Sequence, residues 1–311
     1  MTRILVTGAS GLLGLNLALE AAPEHQLLGL THSHPLAAPF ETRQLDLMDA
    51  DACAALLDDF QPEWLIHCAA LANLEACEQQ PAWAARLNAE VPAELAASAR
   101  ERGIRFLHIS TDAVFDGERG SYSEADAPNP LSIYAETKLA GELAVQAADP
   151  DALLARVNFF GWSLSGRRSL AEFFYNRLAA GESMPGLTDR FFSPLLVNDL
   201  ADVLYRMLVA GLSGIYHVAS PVSLSKYEFG VAIAERFGFD PDLVQPTESA
   251  ALTYAAPRAG NLTLNVDKLT AALGSRLPDV HAGIDRLHAL HAQGYAAGLR
   301  AMSAATAPAE R

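Results

Sequence analysis

Lysine is nearly missing from this chain: three residues, at positions 138, 226 and 268, stand against nineteen arginines in 311 positions. Cysteine is equally scarce. Cys53, Cys68 and Cys77 are odd in number and lack CxxC spacing, so the sequence predicts free thiols in a reducing compartment rather than a disulfide framework. No apolar run reaches the roughly 18 residues of a membrane-crossing helix. No charged and then apolar leader stands ahead of the strand-like opening at 3–7. The expectation is a cytoplasmic protein with no membrane partner. Positive charge is also in deficit: 22 Lys and Arg against 37 Asp and Glu give a net charge of −15. Such a surface repels phosphate backbones, which argues against a nucleic-acid partner while leaving room for a local basic pocket. Nine histidines do not add up to a metal site, because His32/His34 and His288/His291 have no carboxylate at ligand spacing.

What is present is a globular composition, 50% hydrophobic and 19% charged, with a regular alternation. Short apolar runs at 3–7, 26–31, 64–68, 105–110 and 152–157 alternate with helical spacing at 12–21, 50–60, 81–102 and 134–147. Strands alternating with helices predict right-handed crossovers and a parallel sheet covered on both faces. The fold class expected is α/β, a Rossmann-type doubly wound parallel sheet with a smaller α/β C-terminal substrate-binding domain. Pro92 predicts a break in the long helical stretch. After residue 158 the texture changes, then a helix (198–210) and a strand (214–219) return to the earlier style. The expected division is therefore 1–157 with 196–219 as the dinucleotide-binding domain, 158–195 with 220–295 as a cap, and 296–311 as a flexible tail.

Between the first strand and first helix lies Gly8-Ala9-Ser10-Gly11-Leu12-Leu13-Gly14. Gly8 permits the tight turn, Gly11 leaves backbone open to a pyrophosphate, and Gly14 lets helix and strand pack closely. Helix N–H groups there favour phosphate. The loop 8–14 is the predicted cofactor cradle, with Ser10, Leu12 and Leu13 as its neighbours. At the end of the second strand, Leu30-Thr31-His32-Ser33-His34 holds none of the carboxylates that bind the ribose hydroxyl in NAD enzymes. Thr31, His32 and Ser33 can donate to a 2′-phosphate, so NADP(H) is favoured, with NAD(H) still open. Asp46 and Leu47 follow the third strand and are placed to meet the adenine.

Tyr134 and Lys138 are four apart on a predicted helix, hence on one face. A chain that nearly always uses Arg uses Lys here, and a compact ammonium suits ribose hydroxyls and a phenolate better than the Arg fork does. The expectation is that Lys138, together with a cationic nicotinamide ring in the oxidised complex, lowers the phenol from about 10 towards about 7, which needs roughly 4 kcal/mol of preferential phenolate stabilisation. Thr111, 23 positions earlier at a predicted strand end, can share a substrate oxygen with the phenol.

The glycine loop, the strand-end hydroxyl and Tyr-x-x-x-Lys together resemble the extended short-chain dehydrogenase/reductase family over nearly the whole chain. STDAVFDG (110–117), YAETKLAGE (134–142) and NAEVPAELA (88–96) are most similar to its dTDP-4-dehydrorhamnose reductase subgroup. The resemblance implies a catalytic set of Thr111, Tyr134 and Lys138. It also implies nicotinamide contacts from Cys68, Ala69, Ala70, Ser110 and Val157, and a sugar site at Asp112, Val114, Phe115, Asn158 and Phe159. Arg190 and Arg258 in the cap suit a nucleotide diphosphate. Two positions depart from the subgroup: Phe159 stands where a Trp is frequent, and Leu74-Glu75-Ala76 has no basic residue. The implied activity is NADP(H)-dependent reduction of a nucleoside-diphosphate 4-keto-6-deoxy sugar, with a homodimer left open. A sugar-nucleotide epimerase and a non-catalytic regulatory subunit resembling the methionine adenosyltransferase β subunit remain alternatives. Ala113, where dehydratases carry Glu, argues against dehydration.

Overall fold

The computed structural model describes residues 1–32, 35–252 and 258–303. Strand β1 (Arg3–Thr7) leads through the glycine loop into α1 (Leu12–Ala21), followed by β2 (Gln26–Thr31), β3 (Glu41–Gln44), α2 (Ala50–Phe60) and β4 (Trp64–His67). Three helices, α3 (Leu74–Gln79), α4 (Pro81–Ala85) and α5 (Val91–Glu101), then precede β5 (Arg105–Thr111), α6 (Ile133–Ala148) and β6 (Leu153–Val157). The break expected at Pro92 exists: a π turn over Arg86–Glu90 interrupts the helical course just before α5, whose first turn holds the proline. Proline has no N–H to close the bond to Asn88. The Asn88 carbonyl instead lies against α6, where a Cβ at Gly141 would sit 2.2 Å from it.

After β6 the chain builds β7 (Phe159–Phe160), α7 (Leu170–Ala179), β8 (Met184–Leu187), β9 (Phe191–Phe192) and β10 (Leu195–Leu196). It returns through α8 (Val197–Val209) and β11 (Gly214–Val218). It then leaves again through β12 (Leu224–Ser225), α9 (Lys226–Phe237), β13 (Val244–Thr247), α10 (Asp267–Leu273), α11 (Val280–Ala292) and α12 (Tyr295–Ala301). The central sheet runs β11-β6-β5-β4-β1-β2-β3, with every pairing parallel. Such strands are buried on both faces: Ile4, Leu5 and Val6 of β1 and Leu153, Leu154 and Ala155 of β6 are all at or below 1% exposure. Each leucine-sized side chain so covered contributes roughly 1.5–3 kcal/mol. Three two-stranded pairs, β7 with β10, β9 with β12 and β8 with β13, surround a second core. Phe160, Phe174 and Phe229 fill it, with α7, α9 and α11 around them.

One expectation fails here. The sequence predicts a flexible tail from 296, yet α12 buries Ala296 and Leu299, and Ala37 N–H donates to the Met302 carbonyl. Two apolar residues three apart on a helix are enough to anchor a short terminal element. Residues 304–311 lie outside the described residues.

Candidate active site

The connection changes direction between β1 and β4, so the loops after these two strands diverge and leave a crevice at their C-terminal ends. Gly8 turns there with φ +67°, and a Cβ on it would lie 2.8 Å from the Ala69 nitrogen. A Cβ on Gly14 would lie 2.3 Å from the Gly8 carbonyl. Backbone from three directions can approach only because both positions are glycine.

The crevice has a volume of about 370 Å³. It brings together Gly8, Ser10, Gly11, Thr31, His32, Asp46, Leu47, Cys68, Ala69 and Ala70 from the predicted cofactor set. Ser33 lies outside the described residues. A cradle that any Cβ would fill, open to the N-terminus of α1, fits a pyrophosphate, and the polar groups of Thr31 and His32 fit the adenosine side of a dinucleotide. Three predicted contacts go elsewhere. Leu13 and Val157 point into the hydrophobic core, and Ser110 Oγ donates to Glu142 Oε1. Leu12 packs against that core and Gly14 is buried under Gly8, so neither lines the crevice.

Helix α6 begins at Ser132, whose hydroxyl accepts from the Ala135 N–H at 3.3 Å. It ends at Asp149, just before Pro150. Tyr134, Lys138 and Glu142 therefore form one stripe at intervals of four, turned towards the sheet. Asn88 holds the helix against the loop after β4, accepting from the Leu71 N–H at 2.8 Å and donating to Thr137 Oγ1 at 3.1 Å.

The geometry gives Lys138 partners other than the phenol. Lys138 Nζ donates to the Ile109 carbonyl at 2.7 Å and to His108 Nε2 at 3.1 Å, so the ammonium is held by β5 and not by the phenol. Burial pushes Tyr134 up to about 12, with only its hydrogen-bond contact with Thr111 opposing it. Spacing on a helix decides which face two residues share but not which of them bond. The phenol is an acid here, with its proton in place. Burial also pulls Lys138 down to about 8 against the nearby Glu142 charge. Thr111 caps the short turn Asp112–Val114 by accepting from the Ala113 N–H at 3.1 Å, and it donates to Asp112 Oδ1. Burial pushes Asp112 up to about 6, although Asn158, Thr111 and the Lys226 charge all oppose this.

A row of buried polar side chains crosses the sheet beneath α6. His67 of β4 is in register with His108 of β5, Ser110 of β5 with Arg156 of β6, and Arg156 with His217 of β11. Arg156 grips both oxygens of Glu142, with 3% and 1% side-chain exposure for the pair. His67 Nδ1 lies 2.9 Å from Thr7 Oγ1, and the His67 and His108 rings stack at 5.6 Å.

Of the predicted sugar site, Asn158 meets Asp112 through a hydrogen bond, and Phe159 is half-buried beside them. Val114 and Phe115 do not join them. Both are fully buried, Phe115 stacking on Tyr122 at 4.3 Å, because the turn after β5 rolls them inward. Arg190 and Arg258 converge on a residue that the sequence reading missed. Burial lowers Lys226, at the start of α9, and the charges of Arg258 and Arg190 lower it further while Asp112 raises it. These three cations and Asp112 share one neighbourhood. Arg190 sits 3.6 Å from Asp189 with its Nε unpartnered among the described residues, and Arg258 pairs with Glu75 at 3.1 Å. The signal was available, since Lys226 is one of only three lysines. Arg168, exposed on the loop before α7, was also missed and lines the crevice beside Ser10, Gly11 and His32.

A doubly wound parallel sheet, a glycine cradle at its switch point and a Tyr-x-x-x-Lys helix beside a strand-end threonine define an extended short-chain dehydrogenase/reductase-like protein. The chain belongs to the RmlD substrate binding domain family, whose model matches residues 1–291. It is 35% identical over 289 residues to the probable low-salt glycan biosynthesis reductase Agl14 of Haloferax volcanii, covering 91% of this chain and 96% of that one. It is 34% identical to the dTDP-4-dehydrorhamnose reductase of Mycobacterium tuberculosis, covering 85% and 84%. Rat methionine adenosyltransferase 2 subunit beta is 33% identical, covering 89% and 84%. Among solved structures, the dTDP-4-dehydrorhamnose reductase of Bacillus anthracis in complex with NADP superposes with a TM-score of 0.80 at 25% identity, covering 92% and 97%.

Proposed function

We propose that this protein is an NADP(H)-dependent reductase of a nucleoside-diphosphate 4-keto-6-deoxy sugar, of the dTDP-4-dehydrorhamnose type. The observation that carries the reading is that Tyr134 lies beside Thr111 and Asp112, that Asp112 borders the Lys226, Arg190 and Arg258 cluster, and that Lys138 of the same helix is close to Cys68, which lines the glycine crevice. The family membership and the reductase relatives support it.

The dinucleotide, when bound, supplies the hydride. Everything else falls to side chains of this chain. Gly8, Ser10 and Gly11 hold the pyrophosphate on backbone N–H groups. Thr31 and His32 face the adenosine ribose without a carboxylate to repel a 2′-phosphate, and Arg168 adds a cation at that end. An ammonium has three N–H donors, and His108 and Ile109 take two of those of Lys138, leaving one for the nicotinamide ribose. Thr111 orients the substrate carbonyl oxygen, and Tyr134 gives it a proton. Lys226 and Arg190, with Arg258 behind them, receive the diphosphate, and Asp112 with Asn158 meets sugar hydroxyls.

The test is NADPH and NADH oxidation over a panel of nucleotide-linked 4-keto sugars, with Tyr134→Phe as the control. Removing a general acid costs on the order of 10²–10⁴ in rate. Turnover in Tyr134→Phe is expected to fall at least about a hundredfold while NADPH still binds, and near wild-type turnover would refute the assignment. The relation to the methionine adenosyltransferase β subunit favours a second reading, a regulatory partner protein. A stoichiometric protein partner together with no turnover on any keto-sugar nucleotide selects it.

A further inference from the structure

Lys138 is held in a way that its place on α6 does not explain. Its nitrogen has no lone pair, so the 3.1 Å contact with His108 runs from the ammonium to Nε2, and the imidazole proton must sit on Nδ1. That Nδ1 has no partner among the described residues, although His108 is fully buried. An unpaired buried donor is costly, and a phenylalanine would fill the same space without it. The imidazole is therefore poorly explained as packing and well explained by its other nitrogen. The stack beneath fixes the ring: His67 lies 15° from coplanar with it, and His67 in turn meets Thr7, whose hydroxyl accepts from the Ala69 N–H at 3.2 Å. Both rings stay neutral, because burial and the Lys138 charge each hold them below their ordinary value.

We infer that His108 is a positioning residue for the reaction, its Nε2 fixing the ammonium of Lys138 so that the single remaining N–H faces the cofactor ribose. The inference rests on the reading above for the role of Lys138, but the contact itself does not depend on that reading and can be tested without cofactor. Groups facing Lys138 come from four directions. His108 lies on β5, His67 and Cys68 at the end of β4, and Tyr134 and Glu142 on its own helix, with Arg156 of β6 behind Glu142. Of these, His108 bonds to the ammonium directly.

The scarcity of lysine makes the test clean. Protein carrying lysine labelled with ¹³C at the ε carbon shows three resonances, and the one missing from Lys138→Met belongs to Lys138. Its titration midpoint in the unliganded protein is expected near the value of about 8 that burial sets. His108→Leu removes an acceptor from the charged form, so the midpoint should fall by on the order of one unit. His108→Gln can return an oxygen to the place of Nε2 and should restore it, whereas His108→Asn reaches only the place of Nδ1 and should behave like Leu. In turnover, the alkaline limb should move to lower pH by the same interval in Leu and Asn and return in Gln. If Gln and Asn shift the midpoint equally, or if folded His108→Leu leaves it unchanged, His108 merely packs and the inference is wrong. If the midpoints move as expected but no keto sugar is turned over, the contact stands and the functional reading falls. Should His108→Leu fail to fold, the Gln–Asn pair alone decides.

Discussion

The floor and the rim of this site are both rich in charge and are built in opposite ways. Beneath α6, Arg156 and Glu142 are almost fully enclosed and bonded to each other through several oriented contacts. At the rim, Arg190 and Arg258 keep 23% and 36% side-chain exposure. Both lean on acids that are themselves partly exposed, and among the described residues no salt bridge includes Lys226. A buried pair must be satisfied within the protein, because neither member can return to water. Like charges gathered at a half-open surface destabilise the protein that carries them unless an anion arrives. The Arg156–Glu142 pair of the floor is thus satisfied within the protein, and we expect the rim to be completed by an anion.

Breaking the floor should produce the largest effect. Glu142→Ala strands the almost fully enclosed Arg156 and leaves Ser110 without its acceptor. Removing one partner of a buried pair costs about 3–5 kcal/mol. The expected result is a large loss of stability in denaturant melts, with Glu142→Gln losing less because its amide oxygen still accepts. A melt unchanged within 1 kcal/mol would mean that water reaches the row and that the floor is not closed.

The rim should respond in affinity and not in stability. Lys226→Met and Arg190→Met remove like charges from a crowded patch, so melting should hold or rise slightly. Binding of a nucleoside diphosphate, followed by calorimetry, should weaken by roughly tenfold for each, since a charge-assisted hydrogen bond contributes about 1.5–3 kcal/mol. Salt should weaken wild-type binding more than that of either variant. If both variants lose stability and keep affinity, the cluster is a structural element and the contrast with the floor disappears.

These two regions also differ in how far the sequence reveals them. The alternation of strands and helices and the glycine cradle follow from local spacing, because a β–turn–α unit carries its own instructions over fewer than twenty residues. The shared helical face of Tyr134 and Lys138 was legible for the same reason. What spacing could not show was where side chains reach after the strands assemble. Lys138 bonds across to β5 and not to its helical neighbour, and Ser110 is spent on Glu142. Val114 and Phe115 lie inside because a short turn follows β5. The rim is assembled from residues 68 positions apart, from Arg190 to Arg258, with Lys226 between. No period links them, and only the rarity of lysine marked the middle one.

Arg168 offers the finest test, because it belongs to neither region. It stands on the cap side of the crevice while the rest of the lining comes from the loops after β1 to β4 and from α4 and the turn after it. Its guanidinium shares the lining with His32, Ser10 and Gly11, so two anions lie within its reach: a 2′-phosphate on the adenosine ribose, or the pyrophosphate on the glycine loop. The two roles predict different selectivity. A residue that reads the 2′-phosphate discriminates between cofactors, and one that reads the pyrophosphate does not. Arg168→Ala should weaken 2′,5′-ADP about fivefold, roughly 1 kcal/mol as fits an exposed charge contact, and leave 5′-AMP unchanged. Equal loss for NADPH and NADH would move Arg168 to the pyrophosphate. It would then make the cofactor end of the crevice resemble the rim, a charge from the cap waiting for a diphosphate. No change with either nucleotide would leave the preference to Thr31 and His32 alone, through what they lack: a carboxylate to turn the extra phosphate away.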